Sequence, residues 1–379
     1  MSTKLTCRRA IALTGISIGA LTGISIGLLS APVVTGTGAA TAQAVGGSVV
    51  VPSSIDSTGQ ADVTAKLNAF FASVPDGSTV VLKAAGTYRI EGTVVIAEKN
   101  NLILDGNGAK TITETIGDRS RQHIRLVRGS NIIIRDLTIK GANPYAGTSD
   151  AAYVSRLEAQ HGINVAGTRG LELDRVTVTD VYGDFIYLGK AGDAWSEDVR
   201  IHDSTFARNG RQGLAITAAR RVRFDHNTIQ DTRRATFDLE PNGAGWGVED
   251  VLIDNNVVGS GRLNFLSAVG RGPVNRVKIQ NNVLKGKSMN GTVGNSLDRR
   301  SDWIVSGNTS DRSYGNPGGR VMTFQRVNGV VFTDNTQPVD LRREMVGTNL
   351  YDVCGFTVES NTMRNSVGQS RVITPCANG

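Results

Sequence analysis

Cysteine, histidine and aromatic residues are scarce in this sequence. Of its 379 residues, 3 are cysteines, 4 are histidines and 5% are aromatic. The cysteines and histidines form no cluster with zinc spacing, so no zinc site is predicted. The formal net charge of +7 falls to +4 without the three basic residues of the first 44. The remaining arginines are scattered among aspartates, which argues against nucleic-acid binding and favours an acidic ligand.

Long apolar runs are confined to the N-terminus. Three basic residues precede an apolar stretch from residue 10 to 29, and a run of small residues then ends in Ala42-Gln43-Ala44. This order is typical of a secretory signal peptide cleaved after Ala44, which predicts a secreted mature protein that is free of the membrane. An uncleaved membrane anchor is the alternative. The Arg8-Arg9 pair leaves Sec or twin-arginine export open.

Only two cysteines remain beyond the predicted signal peptide. Cys7 leaves with it, so Cys354 and Cys376 form an even pair in an exported chain. The pair predicts one disulfide that ties the C-terminal tail to the last repeat. A catalytic thiol is the alternative.

A short motif recurs along the chain. "RVRFDHNTIQ" at 221 has relatives such as "NLILDGNG" at 101, "DVLIDNNVVGS" at 250 and "GFTVESNTM" at 355. Each copy alternates apolar and polar residues like a strand, and a polar corner follows. The copies start at 102, 132, 171, 199, 222, 251, 277, 303, 330 and 356. Asn tolerates the left-handed conformation, so we expect seven Asn to turn these corners and to stack as a ladder: Asn107, Asn227, Asn256, Asn282, Asn308, Asn335 and Asn361.

The repeat predicts a solenoid. One copy cannot bury its own apolar edge, so the copies must stack as the coils of a parallel β-helix. Leucine-rich repeats need regular leucines and a helical segment, and propeller blades need more residues per unit. The apolar spacing of "ADVTAKLNAFFASV" predicts one helix that caps the open end, with Asp62 as its N-cap. The predicted boundaries are 1–44 for the signal peptide, 45–100 for the cap and first strands, and 101–379 for the β-helix with its C-terminal tail.

The segment "DSTGQADVTAKLNAFFASVPDGSTVVLKAAGTYRI" resembles the opening of many pectate-lyase-superfamily proteins, and the coils resemble their right-handed parallel β-helix. The resemblance covers residues 56–361. It implies an all-β fold, a right-handed parallel β-helix with an N-terminal capping helix. It does not imply one reaction, because this fold hosts lyases, hydrolases, epimerases and binding proteins.

A second strand precedes the motif in four adjacent coils. These strands read "QHGINVAG", "GDFIYLG", "RQGLAIT" and "TFDLEPN". Because side chains alternate along a strand, their apolar residues point inward and the intervening residues point outward. Coils stack about 4.8 Å apart, so the four strands predict one groove roughly 15 Å long. The outward residues are Asn164, Tyr187, Ala215 and Asp238, with Thr217 and Glu240 two positions later.

Ionisable and polar side chains gather along this predicted groove. The catalytic candidates are His161, Asp184, Tyr187, Arg211, Arg234, Asp238 and Glu240. The substrate-binding candidates are Asn164, Gln212, Trp195 and Trp246, of which the two tryptophans follow aligned strands and suit sugar stacking. Each candidate also has a structural interpretation without a catalytic role. The corner residues would be ordinary turn residues, the arginines would pair with Asp238 and Glu240, and the tryptophans would pack on their own loops. An insertion at 141–160 precedes the first strand and is expected to bring Tyr145 and Tyr153 towards the groove.

The corner residues are similar in placement to the catalytic residues of polygalacturonases. The matching places read Gln160-His161-Gly162, Gly183-Asp184 and Arg211-Gln212-Gly213. Asp184 keeps one acid, but His161 and Gln212 replace other catalytic residues and no R-x-K segment follows. The resemblance therefore indicates where the chemistry lies and does not carry the hydrolase activity over.

The leading hypothesis is a secreted enzyme that cleaves an extracellular, acidic polysaccharide. Lyase chemistry would use an arginine to neutralise a uronate and His161 or Tyr187 to move the proton. Hydrolysis would use two carboxyl groups such as Asp238 and Glu240. A non-catalytic glycan-binding surface protein and a uronate epimerase are the alternatives. We expect a monomer without a cofactor; aspartates 180, 184, 193 and 198 leave calcium open without matching a known loop.

Overall fold

The computed structural model describes residues 47–295, 297–312, 321–338, 346–348, 354–364 and 371–373. The predicted signal peptide and Cys376 lie outside these residues, so signal cleavage and the disulfide stay predictions. In the described part, no helix is long and apolar enough to span a membrane.

Three parallel sheets wind along the chain, and every described coil except the first and the last contributes one strand to each sheet. Sheet 1 contains Val94–Ala97, Ile124–Val127, Ile163–Ala166, Ile186–Ala191, Leu214–Ile216, Phe237–Leu239, Leu266–Ala268, Gly291–Val293, Met322–Phe324 and Val346–Thr348. Sheet 2 contains Ser48–Val50, Thr79–Val81, Asn100–Asp105, Ser130–Arg135, Arg169–Asp174, Ala194–His202, Ala218–Asp225, Gly247–Asp254, Val274–Gln280, Arg300–Ser306, Val327–Thr333 and Cys354–Glu359. Sheet 3 contains Thr58–Asp62, Thr87–Arg89, Lys110–Ile112, Thr138–Lys140, Thr177–Val181, Thr205–Asn209, Thr228–Gln230, Val257–Val258, Val283–Leu284, Thr309–Ser310, Thr336–Pro338 and Thr362–Arg364.

Two antiparallel pairings interrupt this order. Sheets 1 and 2 are joined by a hairpin in which Lys190 pairs with Trp195. The strand Arg371–Ile373 pairs antiparallel with Cys354–Glu359 at the last coil. All other pairings between named strands are parallel, which confirms the predicted parallel β-helix.

The ten predicted copies of the motif form one continuous column in sheet 2. Leu102 pairs with Ile132, and the same position continues from coil to coil as far as Val330 and Phe356. The side chains in this column are almost fully buried. The period of the sequence therefore predicted both the strands and their register.

Aromatic side chains stack through the middle of the core. The rings of Phe185, Phe206, Phe224, Phe237 and Phe265 follow one another with centroids 5.4 to 5.8 Å apart. Such tilted and edge-to-face pairs add to the free energy gained from burying apolar area. They lie directly beneath the sheet 1 strands that carry the predicted groove.

The short helix Thr64–Ser73 covers the N-terminal end of the core. Its apolar face buries Leu67 and Phe71 in the same hydrophobic cluster as the coils. The residue before the helix is Val63, so the predicted N-cap Asp62 lies one position earlier. Its carboxylate nevertheless accepts the Thr64 backbone N–H at 3.0 Å.

A ladder of buried asparagines runs along the corner between sheets 2 and 3. Nδ2 of each Asn donates to Oδ1 of the Asn in the next coil at 2.8 to 3.2 Å, and each Oδ1 also accepts the backbone N–H of the preceding Asn. The ladder satisfies corner backbone groups that burial removes from water. Its members are Asn227, Asn256, Asn282, Asn308, Asn335 and Asn361, and Ser204 continues it by donating its N–H to Asn227.

Two details of the ladder prediction are wrong. The positive φ angles belong to the residues just before the ladder, such as His226, Asn255 and Asn281, and not to the ladder Asn themselves. Asn107 does have a positive φ of 50°, but it lies outside the ladder and bonds Asp105 and Leu82 instead. The ladder positions therefore select Asn for its amide bonds, whereas the preceding positions turn the chain.

Replacing Asn282 by Ala should destabilise the fold by about 2–5 kcal/mol, because it leaves the Asn256 N–H and the Ile253 carbonyl without their buried partners. Urea unfolding measures the loss. Lys278→Ala, on the exposed side of the same coil, is the control and should change stability by less than about 0.5 kcal/mol. Equal effects of the two substitutions would contradict a structural role for the ladder.

Candidate functional site

The outward side of sheet 1 brings the predicted groove residues into line. Asn164 pairs with Tyr187, Tyr187 with Ala215, and Ala215 with Asp238, as the sequence predicted. The column continues to Ser267, which sequence reasoning missed although one more coil of the same alignment leads to it. The coil before Asn164 contributes the exposed Arg125.

Asp184 organises the corner of this groove and is completely buried. Its Oδ1 accepts the backbone N–H of Gln212 at 2.9 Å, and its Oδ2 accepts Nη1 of Arg211 at 2.8 Å. The Gln212 side chain is occupied as well, because its Oε1 accepts the N–H of Ala235 at 2.7 Å. Asp184 is thus an anchor for the next coil and not a solvated turn residue.

His161 lies between Asp184 and Tyr187. Its Nδ1 accepts the Asp184 backbone N–H at 3.1 Å and lies 3.2 Å from Asp184 Oδ2. With Nδ1 accepting, the ring proton lies on Nε2, and Nε2 makes no hydrogen bond within the described residues. The imidazole stacks on the Tyr187 ring with centroids 4.8 Å apart. His161 therefore presents one free N–H while the rest of its ring is fixed.

Tyr187 leans across the strand towards the next coil. Its hydroxyl accepts a hydrogen bond from Thr217 at 3.0 Å and also contacts the side chain of Asn242. The missing side chain of Gly189 makes room, since a Cβ there would lie 2.8 Å from the Tyr187 ring. Burial raises the pKa of Tyr187 above its usual value. The phenol is therefore a proton donor at neutral pH and not a base.

The insertion at 141–160 forms one wall of the groove and supplies a carboxylate. Glu158 Oε2 accepts the Tyr153 hydroxyl at 3.0 Å and lies 3.4 Å from Arg211 Nε. Although burial works the other way, the Asp184 and Glu158 carboxylates hold the pKa of Arg211 above its usual value. The alternative in which Arg211 pairs with Asp238 and Glu240 is not what the structure shows, because the guanidinium of Arg211 is paired with Asp184 and Glu158.

Arg234 differs from Arg211 in having no ion pair within the part of the chain that the structure describes. Its guanidinium lies over the ring of Tyr153, 5.2 Å from the centroid. A guanidinium that stacks on an aromatic face keeps its N–H edge available for a planar anion. Tyr153 thus reaches the groove as expected, whereas Tyr145 is 63% exposed.

Asp238 is the least satisfied carboxyl group of the groove. It is 2% exposed, and its Oδ1 has no hydrogen-bond partner. Burial raises the pKa of Asp238 to about 7, and the negative charges of Glu240 and Asp184 add to the rise. A carboxylic acid with such a pKa can donate a proton near neutral pH.

Glu240 follows Asp238 by two positions, on the same side of the strand, and is partly exposed. Two positions along a strand correspond to about 6.6 Å between Cα atoms. Gly270 of the next coil packs against Glu240, since a Cβ on Gly270 would lie 2.5 Å from Glu240 Cγ. The groove therefore holds a buried carboxyl beside a more accessible one.

The two tryptophans form a rim beside the groove. Nε1 of Trp195 donates to the Gly245 carbonyl at 3.0 Å, and Lys190 donates to the same oxygen at 3.1 Å. The Lys190 ammonium also lies 5.0 Å from the ring centroid of Trp246. Both indoles are partly exposed. They thus lie on one rim as expected, and sugar stacking on them stays a prediction.

Acidic and histidine residues also gather on sheet 2, away from the groove. Asp174, His202 and Asp203 are the one group of three in the described residues with a metal-compatible arrangement. Hydrogen bonds and ion pairs already join its members, with His202 Nδ1 2.7 Å from Asp203 and Asp174 paired to Arg175.

The aspartates considered for calcium are dispersed: Asp180 pairs with Arg208, Asp184 with Arg211 and Asp198 with Arg221. His123, interpreted as structural, is buried, and burial lowers its pKa to about 3.

Comparison with known proteins decides the family. The model of a family described as "Right handed beta helix region" matches residues 78–258 and 161–378, which is more than half of the chain. The chain belongs to the right-handed β-helix family. This membership confirms the predicted fold class and the resemblance to pectate-lyase-like parallel β-helices. No curated protein matches the sequence.

Solved structures of three other β-helix proteins are similar. The tailspike protein of Escherichia coli bacteriophage HK620, in complex with a pentasaccharide, has a TM-score of 0.57 and 13% identity over 82% of this chain and 64% of its own. An alginate lyase from Paenibacillus sp. str. FPU-7 has a TM-score of 0.52 and 13% identity over 83% and 99%. PfbA, a surface adhesin of Streptococcus pneumoniae, has a TM-score of 0.51 and 11% identity over 82% and 91%. This β-helix spans less than two thirds of the tailspike, and identities this low show a shared fold alone.

Replacing Asp238 by Asn should stabilise this β-helix at high pH. A folded-state pKa of about 7 against an ordinary 3.8 means that ionising Asp238 costs stability, progressively between pH 4 and 7. Asn mimics the protonated form, so we expect a gain on the order of 2–4 kcal/mol at pH 8 and little gain at pH 4. Urea unfolding at both pH values measures it. The exposed Asp193→Asn is the control, and a gain that does not grow with pH would contradict the buried-acid assignment.

Proposed function

We propose that this protein is a secreted glycoside hydrolase that cleaves an extracellular polysaccharide in the groove on sheet 1. The observation that carries the proposal is Asp238, a buried carboxyl with an unpartnered oxygen and a pKa of about 7, two positions from the more accessible Glu240. Two carboxyl groups in different environments are the minimum that glycoside hydrolysis requires.

Asp238 acts as the general acid. In its protonated form it donates a proton to the glycosidic oxygen, which leaves with the departing sugar. Its Oδ1 is buried and has no hydrogen-bond partner among the described residues, so a substrate oxygen that reached it on binding would satisfy it. The negative charges of Glu240 and Asp184 disfavour the ionised form of Asp238 and so keep it protonated. The proton leaves when the breaking bond makes the glycosidic oxygen more basic.

Glu240 acts as the second carboxylate. It either takes a proton from the attacking water or attacks the sugar itself, and the distance between the two carboxyl groups decides between inversion and retention. His161 Nε2–H and the Tyr187 hydroxyl belong to coils three and two steps away in the same groove. They act as hydrogen-bond donors to sugar hydroxyls.

An acidic polysaccharide is the favoured substrate. Arg234 keeps its guanidinium edge free beside Tyr153, and Arg125 is exposed on the outward column of the groove. Cations without carboxylate partners attract a negatively charged polymer and orient it. The names of two similar structures agree with a carbohydrate partner: a tailspike bound to a pentasaccharide and an alginate lyase.

β-Elimination is the second candidate. It is favoured by the stacked pair of His161 and Tyr187, whose rings lie 4.8 Å apart. With the ring proton on Nδ1, which lies 3.2 Å from Asp184 Oδ2, Nε2 of His161 would be the base and the neutral phenol the acid on one uronate. Of the two arginines that could neutralise the substrate carboxylate, Arg211 is engaged by Asp184 and Glu158, which leaves Arg234 alone for this role. A non-catalytic glycan-binding role is the third candidate.

A polysaccharide panel distinguishes the three candidates. Hydrolysis yields new reducing ends without ultraviolet absorbance, elimination yields both, and a binding protein yields neither but retains the glycan. We expect reducing ends alone. Asp238→Asn and Glu240→Gln should each lower kcat by about 10²-fold or more, while Asp250→Asn, a partly exposed aspartate on sheet 2, should leave it unchanged. Full activity in Asp238→Asn would overturn the proposal.

The pH dependence gives an independent check. Since Asp238 must be protonated to act and its pKa is about 7, kcat/KM should fall as the pH rises through 7, by about tenfold per unit at higher pH. An eliminating enzyme, whose base must be unprotonated to act, should instead become faster as the pH rises. Initial rates between pH 5 and 9 at constant ionic strength measure the profile, and a rise above pH 7 would contradict hydrolysis by Asp238.

A further inference from the structure

The segment that follows the next sheet 1 strand forms the floor beneath Glu240. In this segment, residues 268–272, the Gly270 backbone lies so close that a Cβ would be 2.5 Å from Glu240 Cγ and 2.6 Å from the Pro241 carbonyl oxygen. The position of Glu240 therefore depends on the position of a backbone segment from another coil. Contacts that hold this segment in place therefore also hold the Glu240 carboxylate in place.

Arg300 holds this floor from the following coils. Its side chain is almost fully buried, with 1% exposure, and its guanidinium forks onto two carbonyl oxygens: Nη1 donates to Ala268 and Nη2 to Gly270. Asn295 Nδ2 donates to the same Gly270 oxygen at 2.7 Å. At the far end of the segment, the Gly272 N–H donates to Asp298 at 3.1 Å.

The burial of Arg300 is costly, which argues for a specific role. A guanidinium removed from water and bonded only to neutral carbonyls loses hydration energy that these bonds only partly restore. Burial accordingly lowers the pKa of Arg300 to about 10, and the opposing negative charges are those of Asp298 and Glu240. Arg300 therefore interacts with Glu240 in two ways: electrostatically with its carboxylate, and mechanically through the Gly270 backbone on which Glu240 packs.

We propose that Arg300 is the positioning residue for Glu240: its fork on the Ala268 and Gly270 carbonyls fixes the floor on which Glu240 packs. The inference rests on the proposed function, in which Glu240 is the second carboxylate. Arg300 itself touches no substrate in this scheme. It lies two coils beyond the coil of Glu240, so its effect on the reaction is indirect.

Three substitutions separate the parts of this arrangement. Arg300→Lys keeps the charge and loses the fork, Arg300→Met loses both, and Gly270→Ala displaces Glu240 while Arg300 stays intact. Because a displacement of about 1 Å in a catalytic group can cost up to 10²-fold, we expect kcat to fall about tenfold in Arg300→Lys and Gly270→Ala. We expect a fall of about 10²-fold in Arg300→Met. KM should change less than twofold.

The crystal structure and the split between kcat and KM test positioning against simple loss of folding. Crystal structures should show the Glu240 carboxylate displaced in Arg300→Lys and Gly270→Ala. The control is Arg276→Met, an exposed arginine one coil earlier on sheet 2, which should retain wild-type kcat.

The outcomes separate the inference from the proposed function. If the wild type cleaves polymer and Glu240→Gln does not, but Arg300→Lys and Gly270→Ala keep wild-type kcat and an unmoved Glu240, the positioning role is overturned and the function stands. If Arg300→Met does not fold, Arg300→Lys and Gly270→Ala carry the test alone. If the wild type cleaves nothing, the function fails, and an unmoved Glu240 in both crystal structures overturns the positioning role as well.

Discussion

Stacking of coils in a fixed register is the constraint on which the rest of this structure depends. A side chain on one strand must lie over its equivalent in the next coil, so ten apolar positions form one buried column and six asparagines form one hydrogen-bonded ladder. The same rule acts on the outside of sheet 1. It places Tyr187 and Asp238 two coils apart on one line, and it turns a set of separate motifs into a groove.

The register also decides which parts of the site the sequence could predict. Outward columns follow from the period, so Asn164, Tyr187 and Asp238 were predicted in their correct alignment. Contacts between residues that lie outside the repeat pattern were not predicted. Glu158 comes from an insertion of irregular backbone, and the pairing of Arg211 with Asp184 depends on how two side chains turn at a corner. Arg300 carries no sequence signal at all, because it looks like any polar residue at the start of a strand.

Asp238 in the groove and the aspartates on the outer face of sheet 2 have opposite electrostatic environments. On sheet 2, Asp198 is paired with Arg221 and Asp250 with Arg276 in the next coil, which lowers the pKa of both acids, chiefly through the hydrogen bonds from the arginines. In the groove, Asp238 is buried beside other negative charges and bonds no cation. Such an arrangement lowers stability when the acid ionises. The fold tolerates this cost because the aromatic core and the ladder stabilise the same coils.

A solenoid has no closed cavity, so a site on it must be assembled from neighbours. The His161 coil brings a free N–H, the next brings a buried aspartate, a third brings its arginine partner, and the Asp238 coil brings two carboxyl groups. Later coils then contribute through backbone instead of side chains, as Arg300 does by way of Gly270. In the proposed hydrolysis, a substitution two coils from the reacting bond would therefore change the chemistry without changing the groove surface. The effect travels along the direction in which the coils stack, because that is the direction in which the backbone is hydrogen-bonded from one coil to the next.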